Sequence, residues 1–206
     1  MTNETRGFDD WDRVYRENPI EDLPWYSPEP DEDLIQTLTK YKIAPGTFLD
    51  IGTGPGVAAV AAAERGFQVT AIDISARAVE LARSRAGMSA NEIDFRTEDI
   101  LQTRLSPGQF DVLFDRGCFH TLAPSQWSTY VDTVRVLIRE DGYLLVKTFS
   151  WRQRGKEGPR RFHPEELSTI FSRDFDFLEL RDSAFRGHGE APQALFAVLR
   201  PRKKAP

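Results

Sequence analysis

The sequence is poor in the residues that form disulfides and metal sites. Cys118 is the only cysteine among 206 residues, and there are three histidines. An internal disulfide is therefore impossible, a structural zinc site is disfavoured, and we expect no metal. A single thiol also suits a reducing compartment.

Long apolar segments are also missing. No uninterrupted apolar run approaches the roughly 20 residues that a membrane-spanning helix needs. The N-terminus is polar and acidic, without the apolar core of a signal peptide. We therefore expect a cytoplasmic protein with no membrane partner.

Positive charge is in deficit. Lys and Arg number 27 against 32 Asp and Glu, which gives a net charge of -5. A general nucleic-acid binder needs a positive face to neutralise phosphates, so we expect no nucleic-acid partner. The basic run 200–204 is interpreted as a solvated terminus. The length suits one well-buried α/β domain and is short for two.

The chain does contain a short strand, a glycine-rich turn and acids at a regular interval. Residues 48–56 read Phe-Leu-Asp-Ile-Gly-Thr-Gly-Pro-Gly, and a second apolar strand ends at Asp73 after one helix's worth of chain. Acids at the carboxyl ends of neighbouring strands, with a bare-backbone turn between them, predict a site for a nucleoside whose ribose is held by its hydroxyls.

The glycine spacing narrows the identity of this nucleoside. A dinucleotide fingerprint has glycines at its first, third and sixth positions, whereas Gly52, Gly54 and Gly56 alternate here. Pro55 has no N–H to offer a pyrophosphate, and no Gly-Lys-Ser/Thr of a P-loop follows. With dinucleotides and P-loop ligands excluded, the turn suits a ligand that has a ribose but no phosphate. Asp50 is placed to attract a positively charged group of that ligand. S-adenosylmethionine, a sulfonium, has these properties.

The rest of the pattern predicts the fold class. From Leu49 onward strand and helix patterns alternate, which predicts a doubly wound, mainly parallel α/β sheet with helices on both faces. Ser75 is the predicted N-cap of a helix that continues to about Arg85. Residues 141–142, Asp-Gly, are a predicted turn before a strand over 143–149.

The last two predicted strands differ from the others. Segments 175–180 and 194–199 are joined without room for a crossover helix, so we expect an antiparallel hairpin. We divide the chain into an N-terminal helical lid segment, 1–45, and a cofactor-binding domain, 46–200.

Together these residues resemble a class I S-adenosylmethionine-dependent methyltransferase over nearly the whole chain. The resemblance rests on five segments: 49–56, 70–75, 99–100, 110–116 and 137–145. It implies a seven-stranded sheet closed by the C-terminal hairpin. Within the class, residues 11–15, 23–25 and 119–124 are similar to the thiopurine and halide/thiol methyltransferase group.

The resemblance implies which residues bind the cofactor. Gly52 and Gly54 would line its methionine portion, and Asp73 would take the two ribose hydroxyls. Asp99 would hydrogen-bond to the adenine, and Ile100 would contact it.

Aromatic residues of the N-terminal segment match positions that cover the cofactor in this group. These residues are Trp11, Tyr15 and Trp25, although a helix and turn packed on the core would use the same residue types. The full implied cofactor set is Trp11, Tyr15, Trp25, Asp50, Gly52, Gly54, Asp73, Ile74, Asp99, Ile100 and Asp115.

We expect a small-molecule acceptor, because the chain has no separate recognition domain. Residues 115–119 read Asp-Arg-Gly-Cys-Phe, not the Asn/Asp-Pro-Pro-aromatic turn of DNA amino-methyltransferases. A soft anion such as a thiolate, sulfide or selenide needs only a positive environment, which Arg116, Arg152 and Arg154 would supply. The expected oligomeric state is a monomer or weak dimer.

Arg116 and His120 are the candidate catalytic residues. His120 and Cys118 lie two residues apart, so on an extended segment both point towards the pocket mouth, although both also suit a plain loop. A Cys/His nucleophilic pair lacks a third orienting group, and His188 is a further candidate. Two other functions stay open: a nicotinamide oxidoreductase and a non-enzymatic S-adenosylmethionine-binding regulator.

Overall fold

One mixed sheet forms the centre of the molecule, for which the computed structural model describes residues 10–155, 158–187 and 191–203. Within these ranges its strands are β1 (Thr47–Ile51), β2 (Gln68–Asp73), β3 (Ile93–Thr97), β4 (Phe110–Arg116), β5 (Ile138–Ser150), β6 (Arg161–Phe162), β7 (Phe175–Ala184) and β8 (Gln193–Pro201). The α-helices are α1 (Trp11–Glu17), α2 (Glu32–Lys40), α3 (Val57–Ala63), α4 (Ala76–Ala86), α5 (Trp127–Leu137) and α6 (Pro164–Phe171). No helix in the described ranges is long and apolar enough to cross a bilayer.

The strand order is β3-β2-β1-β4-β5-β8-β7, with β6 paired to β5 off this path. Neighbours from β3 through β5 are parallel, whereas β8 is antiparallel to both β5 and β7. This confirms the doubly wound sheet and its C-terminal hairpin, and the two-residue β6 is an addition to the seven expected strands. The order reverses between β1 and β4, and ligands of open α/β sheets bind at such a reversal, beyond the carboxyl ends of the strands.

Apolar side chains cover both faces of the sheet. Tyr130 of α5 and Phe171 of α6 belong to one buried layer, and Leu34 of α2 and Ala82 of α4 belong to the other. The helices are therefore held on both faces by burial of apolar area, the main favourable term in folding. The loops beyond the strand ends are left to form a site.

The predicted N-cap of α4 is confirmed. The Ser75 Oγ accepts a hydrogen bond from the Ala78 N–H at 3.0 Å, which satisfies one of the free donors at the helix start. The helix ends at Ala86, and Gly87 follows with a positive φ of 53°. Glycine commonly ends a helix in this way.

The predicted turn at Asp141-Gly142 lies inside a strand, as a bulge of β5. β5 begins at Ile138 and continues through both residues, with a register shift opposite the start of β4. A Cβ on Gly142 would lie 2.9 Å from the Asp111 carbonyl oxygen. It would also lie 2.7 Å from the Ile138 Cγ1 and 3.1 Å from the Arg139 carbonyl oxygen, so the chain folds back on itself here and glycine allows the close approach.

Candidate active site

The turn after β1 forms the first wall of the site. Gly52 and Gly54 have φ values of 66° and 52°, in the left-handed region that favours glycine. A Cβ on Gly52 would lie 2.8 Å from the Cβ of Cys118, and one on Gly54 would lie 2.9 Å from the Tyr15 Oη. Gly52 is exposed, whereas Gly54 is buried beneath the Tyr15 hydroxyl.

Asp73, at the end of β2, is tied to that turn. Its Oδ2 accepts a hydrogen bond from the Gly54 N–H at 2.9 Å, and its Oδ1 accepts one from the Ser75 N–H at 2.9 Å. Burial raises the pKa of Asp73 and the nearby Asp12 carboxylate adds to the rise, while these hydrogen bonds oppose it. A carboxylate has about four acceptor positions, so Asp73 retains acceptor capacity for a ligand hydroxyl.

Three other predicted residues lie at the ends of β2 and β3. Ile74 is 58% exposed, unusual for a large apolar side chain beside a buried acid. Ile100 is buried, and the half-buried Asp99 accepts a hydrogen bond from the Leu101 N–H at 2.9 Å. The structure therefore places an open apolar surface and an acid next to Asp73.

Asp50 lies within β1 beneath the glycine turn. It is 3% exposed, and its Oδ2 accepts a hydrogen bond from the Thr53 Oγ1 at 2.6 Å. Burial raises the pKa of this carboxyl to about 7, with contributions from the charges of Asp73 and Asp115. Asp50 is therefore partly protonated near neutral pH, and a cation bound nearby would ionise it.

Asp115, at the end of β4, is fully enclosed. Its oxygens accept hydrogen bonds from the Tyr130 hydroxyl at 2.7 Å and from the backbone N–H groups of Gly117, Cys118 and Phe119. Burial raises its pKa to about 6, although these donors lower it. Direct contact between Asp115 and a ligand would have to replace these bonds, so the carboxylate acts here by holding the turn after β4.

The N-terminal aromatic residues come together over the glycine turn. The Trp25 Nε1 donates a hydrogen bond to the Tyr15 Oη at 3.2 Å, and the rings of Trp11 and Trp25 meet edge-to-face at 5.6 Å. Asp12 of α1 accepts hydrogen bonds from the Ser75 Oγ at 2.9 Å and the Arg77 N–H at 2.8 Å. The segment is therefore attached to the start of α4, next to Asp73.

Arg116 holds the same segment from the opposite side. Its Nε donates a hydrogen bond to the Asp31 Oδ2 at 2.7 Å, its Nη1 donates to the Trp25 carbonyl at 3.0 Å, and its Nη2 donates to the Arg186 carbonyl at 3.1 Å. The guanidinium also lies over the Phe185 ring, 5.1 Å from its centroid. The Arg116 guanidinium, which we expected to face an anionic acceptor, is therefore already bonded to groups of the protein.

His120 is buried, and one of its ring nitrogens is already used. The Nδ1 accepts a hydrogen bond from the Phe149 N–H at 3.0 Å, so in the neutral ring the proton is assigned to Nε2. Burial, with Arg116 as a second cause, lowers the pKa of His120 to about 3. The ring is therefore a poor proton acceptor at neutral pH and a possible hydrogen-bond donor. Cys118 is no better as a nucleophile, because burial raises the pKa of its thiol.

Sequence reasoning missed a buried group of charged side chains beside Arg116. The group consists of Lys147 on β5, Asp31, Asp33 and Arg181. Lys147 inside the apolar run 143–149 could have indicated a buried ion pair. Its partners, however, lie more than 100 residues away in the sequence, so no local pattern identifies them. His188 lies outside the described residues. In the described ranges, no set of three or more His, Cys, Asp or Glu side chains is arranged to hold a metal ion.

Comparison with known proteins places the chain among methyltransferases. A family profile described as a methyltransferase domain matches residues 48–142. Human EEF1A lysine methyltransferase 2 is 30% identical over 187 residues, 82% of this chain and 74% of the human protein. Protein-lysine N-methyltransferase EFM4 of Saccharomyces cerevisiae is 25% identical over 170 residues, 69% of this chain and 74% of EFM4. Among solved structures, the fold is similar to that of 1,6-didemethyltoxoflavin-N1-methyltransferase from Burkholderia thailandensis, solved with 1,6-didemethyltoxoflavin and S-adenosylhomocysteine. The two superpose with a TM-score of 0.69 and 22% sequence identity, over 84% of this chain and 78% of that chain.

The strand order, the glycine turn and the acids at the strand ends define a class I methyltransferase. The chain belongs to the S-adenosylmethionine-dependent methyltransferase family, as the human relative shows over most of both sequences. It is therefore an enzyme that uses S-adenosylmethionine, and the oxidoreductase and regulator alternatives are set aside.

The expectation of a small-molecule partner is wrong, because the curated relatives named above are protein-lysine methyltransferases. Placement in the thiopurine-like group is not supported either. The physical reason lies in the arginines on which the expectation depended. Arg116 is paired with Asp31 at 2.7 Å and donates to two backbone carbonyls, so it is engaged in holding the N-terminal segment. Arg152 pairs with Asp182 at 2.9 Å at the protein surface. A missing recognition domain also does not prevent a folded protein from presenting a side chain at the sheet edge.

The residues at the crest of the sheet fit S-adenosylmethionine. Its sulfonium and ammonium are positive, and Asp50, Asp73 and Asp99 provide negative charge around the glycine turn. The charges of these acids contribute to the raised pKa of the Cys118 thiol, which locates them around one point. The exposed Ile74 offers an apolar contact to a base.

Proposed function

We propose that this chain is a protein-lysine N-methyltransferase. The observation that carries the proposal is the 30% identity to human EEF1A lysine methyltransferase 2 over 82% of this chain. The similarity to EFM4 of yeast, also a protein-lysine methyltransferase, agrees with it. The net charge of -5 favours encounter with a basic, lysine-bearing surface.

The proposed cofactor contacts follow from the geometry around the glycine turn. Asp73 binds the ribose hydroxyls, and Gly52 and Gly54 line the methionine portion. Ile74 and Ile100 contact the adenine. These assignments are supported by the exposure of Ile74 and by the hydrogen bonds that fix Asp73.

The other proposed residues complete the walls of the site. Asp99 hydrogen-bonds to the adenine, and Asp50 attracts the positive end of the cofactor. Asp115 acts indirectly, through the turn that its carboxylate holds. The aromatic residues that close the site from the N-terminal side are Trp11, Tyr15 and Trp25.

The reaction requires a lysine without its extra proton. Free lysine has a pKa of about 10.4, and only the neutral amine has the lone pair that attacks carbon. The bound cofactor supplies an electrophilic methyl group, so an N–C bond forms as a C–S bond breaks and the amine loses a proton to water. Burial of the lysine in the site lowers its pKa and favours the neutral form.

Two residues at the acceptor end have distinct proposed roles. His120 donates a hydrogen bond from Nε2 and orients the acceptor, because its Nδ1 is occupied and its pKa is about 3. Arg116 keeps the N-terminal segment in place. Alignment of the reacting atoms supplies most of the rate enhancement, on the order of 7–11 kcal/mol in favourable cases.

The proposal is tested with purified protein, tritiated S-adenosylmethionine and recombinant elongation factor 1A, alongside fractionated cellular proteins. We expect label on protein, and mass spectrometry should place a 14-dalton increment on a lysine side chain. Asp73→Ala is the inactive control. Label confined to small molecules, or to residues other than lysine, would contradict the proposal.

A further inference from the structure

Lys147 is a charged residue in a position that usually holds an apolar one. It lies in β5 between β4 and β8, opposite Arg116 and Phe196. The residue is 2% exposed. A buried ammonium is costly unless it is paired and hydrogen-bonded, so its partners should explain its presence.

Two acids at the start of α2 provide those partners. The Lys147 Nζ lies 2.7 Å from the Asp31 Oδ2 and 2.8 Å from the Asp33 Oδ2. Asp33 also accepts hydrogen bonds from Arg181 at 2.7 Å and from the Ser183 hydroxyl. Burial would raise the pKa of Asp33, but Lys147 and these donors hold it below its usual value. The ammonium is therefore paired from two sides.

Contacts continue from this pair to the glycine turn. Asp31 accepts the hydrogen bond of Arg116 on the oxygen that also faces Lys147. Arg116 donates to the Trp25 carbonyl at 3.0 Å, and Trp25 donates to the Tyr15 hydroxyl at 3.2 Å. That hydroxyl lies 2.9 Å from the position a Cβ on Gly54 would occupy. The contacts are unbroken from the centre of the sheet to the proposed cofactor site.

Stability alone does not account for these buried charges. Replacing a buried ion pair by well-packed apolar residues is often neutral or stabilising, because desolvation offsets the Coulomb attraction. Apolar contacts, however, do not specify direction. The ammonium and guanidinium fix the orientation of Asp31, which connects the N-terminal aromatic segment to α2.

We propose that Lys147 is a positioning residue for cofactor binding. Through Asp31 and Arg116 it holds Trp25 and Tyr15 over the glycine turn in the free protein, so that the cofactor meets a formed site. Without Lys147, ordering of residues 11–31 would have to accompany binding, and that ordering costs conformational entropy. The inference depends on the cofactor and not on the identity of the acceptor.

The test is calorimetric binding of S-adenosylhomocysteine to Lys147→Met, which keeps the length of the side chain and removes its charge. We expect a Kd raised by about tenfold, the size of a typical coupling between two sites. Hydrogen exchange in residues 11–26 of the ligand-free protein should become faster. With S-adenosylmethionine and any accepted substrate, KM for the cofactor should rise more than kcat falls.

Lys42→Met is the matched control, because it removes an ammonium at an exposed position just after α2. It should leave Kd unchanged, and Lys147→Arg should recover part of the loss. Asp31→Asn breaks the same connection and provides the test if Lys147→Met does not fold. An unchanged Kd in folded Lys147→Met or Asp31→Asn would overturn the proposal, as would additive effects in the double variant.

Discussion

At the scale of single residues, the acids at the strand ends show how environment divides one side-chain type into several roles. Asp115 is enclosed by four donors and supports a turn. Asp73 accepts two backbone hydrogen bonds and keeps room for more. Asp50 has one side-chain donor and the pKa of about 7 that burial produces. The number of hydrogen-bond donors around each carboxylate therefore separates Asp115, which has a structural role, from Asp73 and Asp50, which can still bind a ligand.

Asp50 should make cofactor binding depend on pH. A bound cation favours its ionised form, so affinity for S-adenosylmethionine should rise as pH increases through about 7. Linkage of one proton allows at most about a tenfold change per pH unit. Calorimetry between pH 6 and 8 should show this slope in the wild type and lose it in Asp50→Asn. An equal slope in the variant would show that another group is responsible.

His120 should make stability depend on acid. Its pKa is about 3 in the folded protein and near 6.5 when unfolded, so the unfolded state binds more protons between these values. The free energy of unfolding should therefore fall as pH drops from about 6.5 towards 3, by at most about 1.4 kcal/mol per pH unit.

Urea titrations of wild type and His120→Gln at several pH values check this prediction. The glutamine oxygen can still accept the Phe149 N–H, but it does not titrate in this range. The difference between the two proteins should shrink as pH falls. His163→Gln, which removes an exposed histidine, serves as the control and should show no such trend.

At the scale of elements, α1 and α4 are joined by a cap that one helix supplies to the other. Asp12 accepts hydrogen bonds from the Ser75 Oγ and the Arg77 N–H. The Arg77 N–H, followed by Ser75 and Arg16, lowers the pKa of Asp12. The contact sets α1 beside Ser75, the N-cap of α4, two residues after Asp73. The local sequence predicted Ser75 as the cap but had no means of indicating this second acceptor.

Asp12→Ala should loosen α1 without unfolding the sheet. We expect hydrogen exchange in residues 11–17 to become several-fold faster, and S-adenosylhomocysteine to bind more weakly, because the aromatic residues lose one of their attachments to α4. Asp22→Ala makes the same charge change at an exposed position of the same segment and is the control. Equal exchange rates in the two variants would refute this role for Asp12.

At the scale of the whole molecule, the N-terminal segment is not uniform in its contacts. Residues 11–26 pack over the glycine turn and α4, whereas Leu34 and Leu38 of α2 belong to the same buried layer as Phe48 and Val112 of the sheet. We infer that α2 is part of the core, and that the lid, as a prediction, is restricted to the residues before it.

Leu34→Ala should therefore destabilise the protein as a core substitution does. Leu34 is 0% exposed, and removal of a buried leucine side chain costs about 2–5 kcal/mol. Leu178→Ala, at a position 42% exposed, is the matched control and should change stability by less than about 0.5 kcal/mol. Urea unfolding of the two variants measures both. If Leu34→Ala lowered the free energy of unfolding by less than about 1 kcal/mol, α2 would belong to the lid segment and not to the core.

Much of the fold was predictable because its signals are local. Alternating strands and helices, the Ser75 cap and the short connection before β8 each depend on nearby residues. At Asp141-Gly142 the local signal for a turn was also right, but pairing with β4 begins earlier, at Ile138, so the turn is a bulge inside β5. The prediction of a small-molecule acceptor was wrong because recognition of the acceptor does not depend on the motifs that bind the cofactor. The cofactor contacts of Asp73 and its neighbours stay predictions.

The chain alone predicted the mainly parallel, doubly wound sheet and the cofactor, because alternating strand and helix patterns and a glycine turn with an acid one helix later are local signals. Only the tertiary structure decided which partners the charged groups take. Arg116 had no visible acceptor in the sequence, and the Asp31 that binds it also binds Lys147, 116 positions along the chain. Strand register and burial bring such groups together, and no local pattern encodes them.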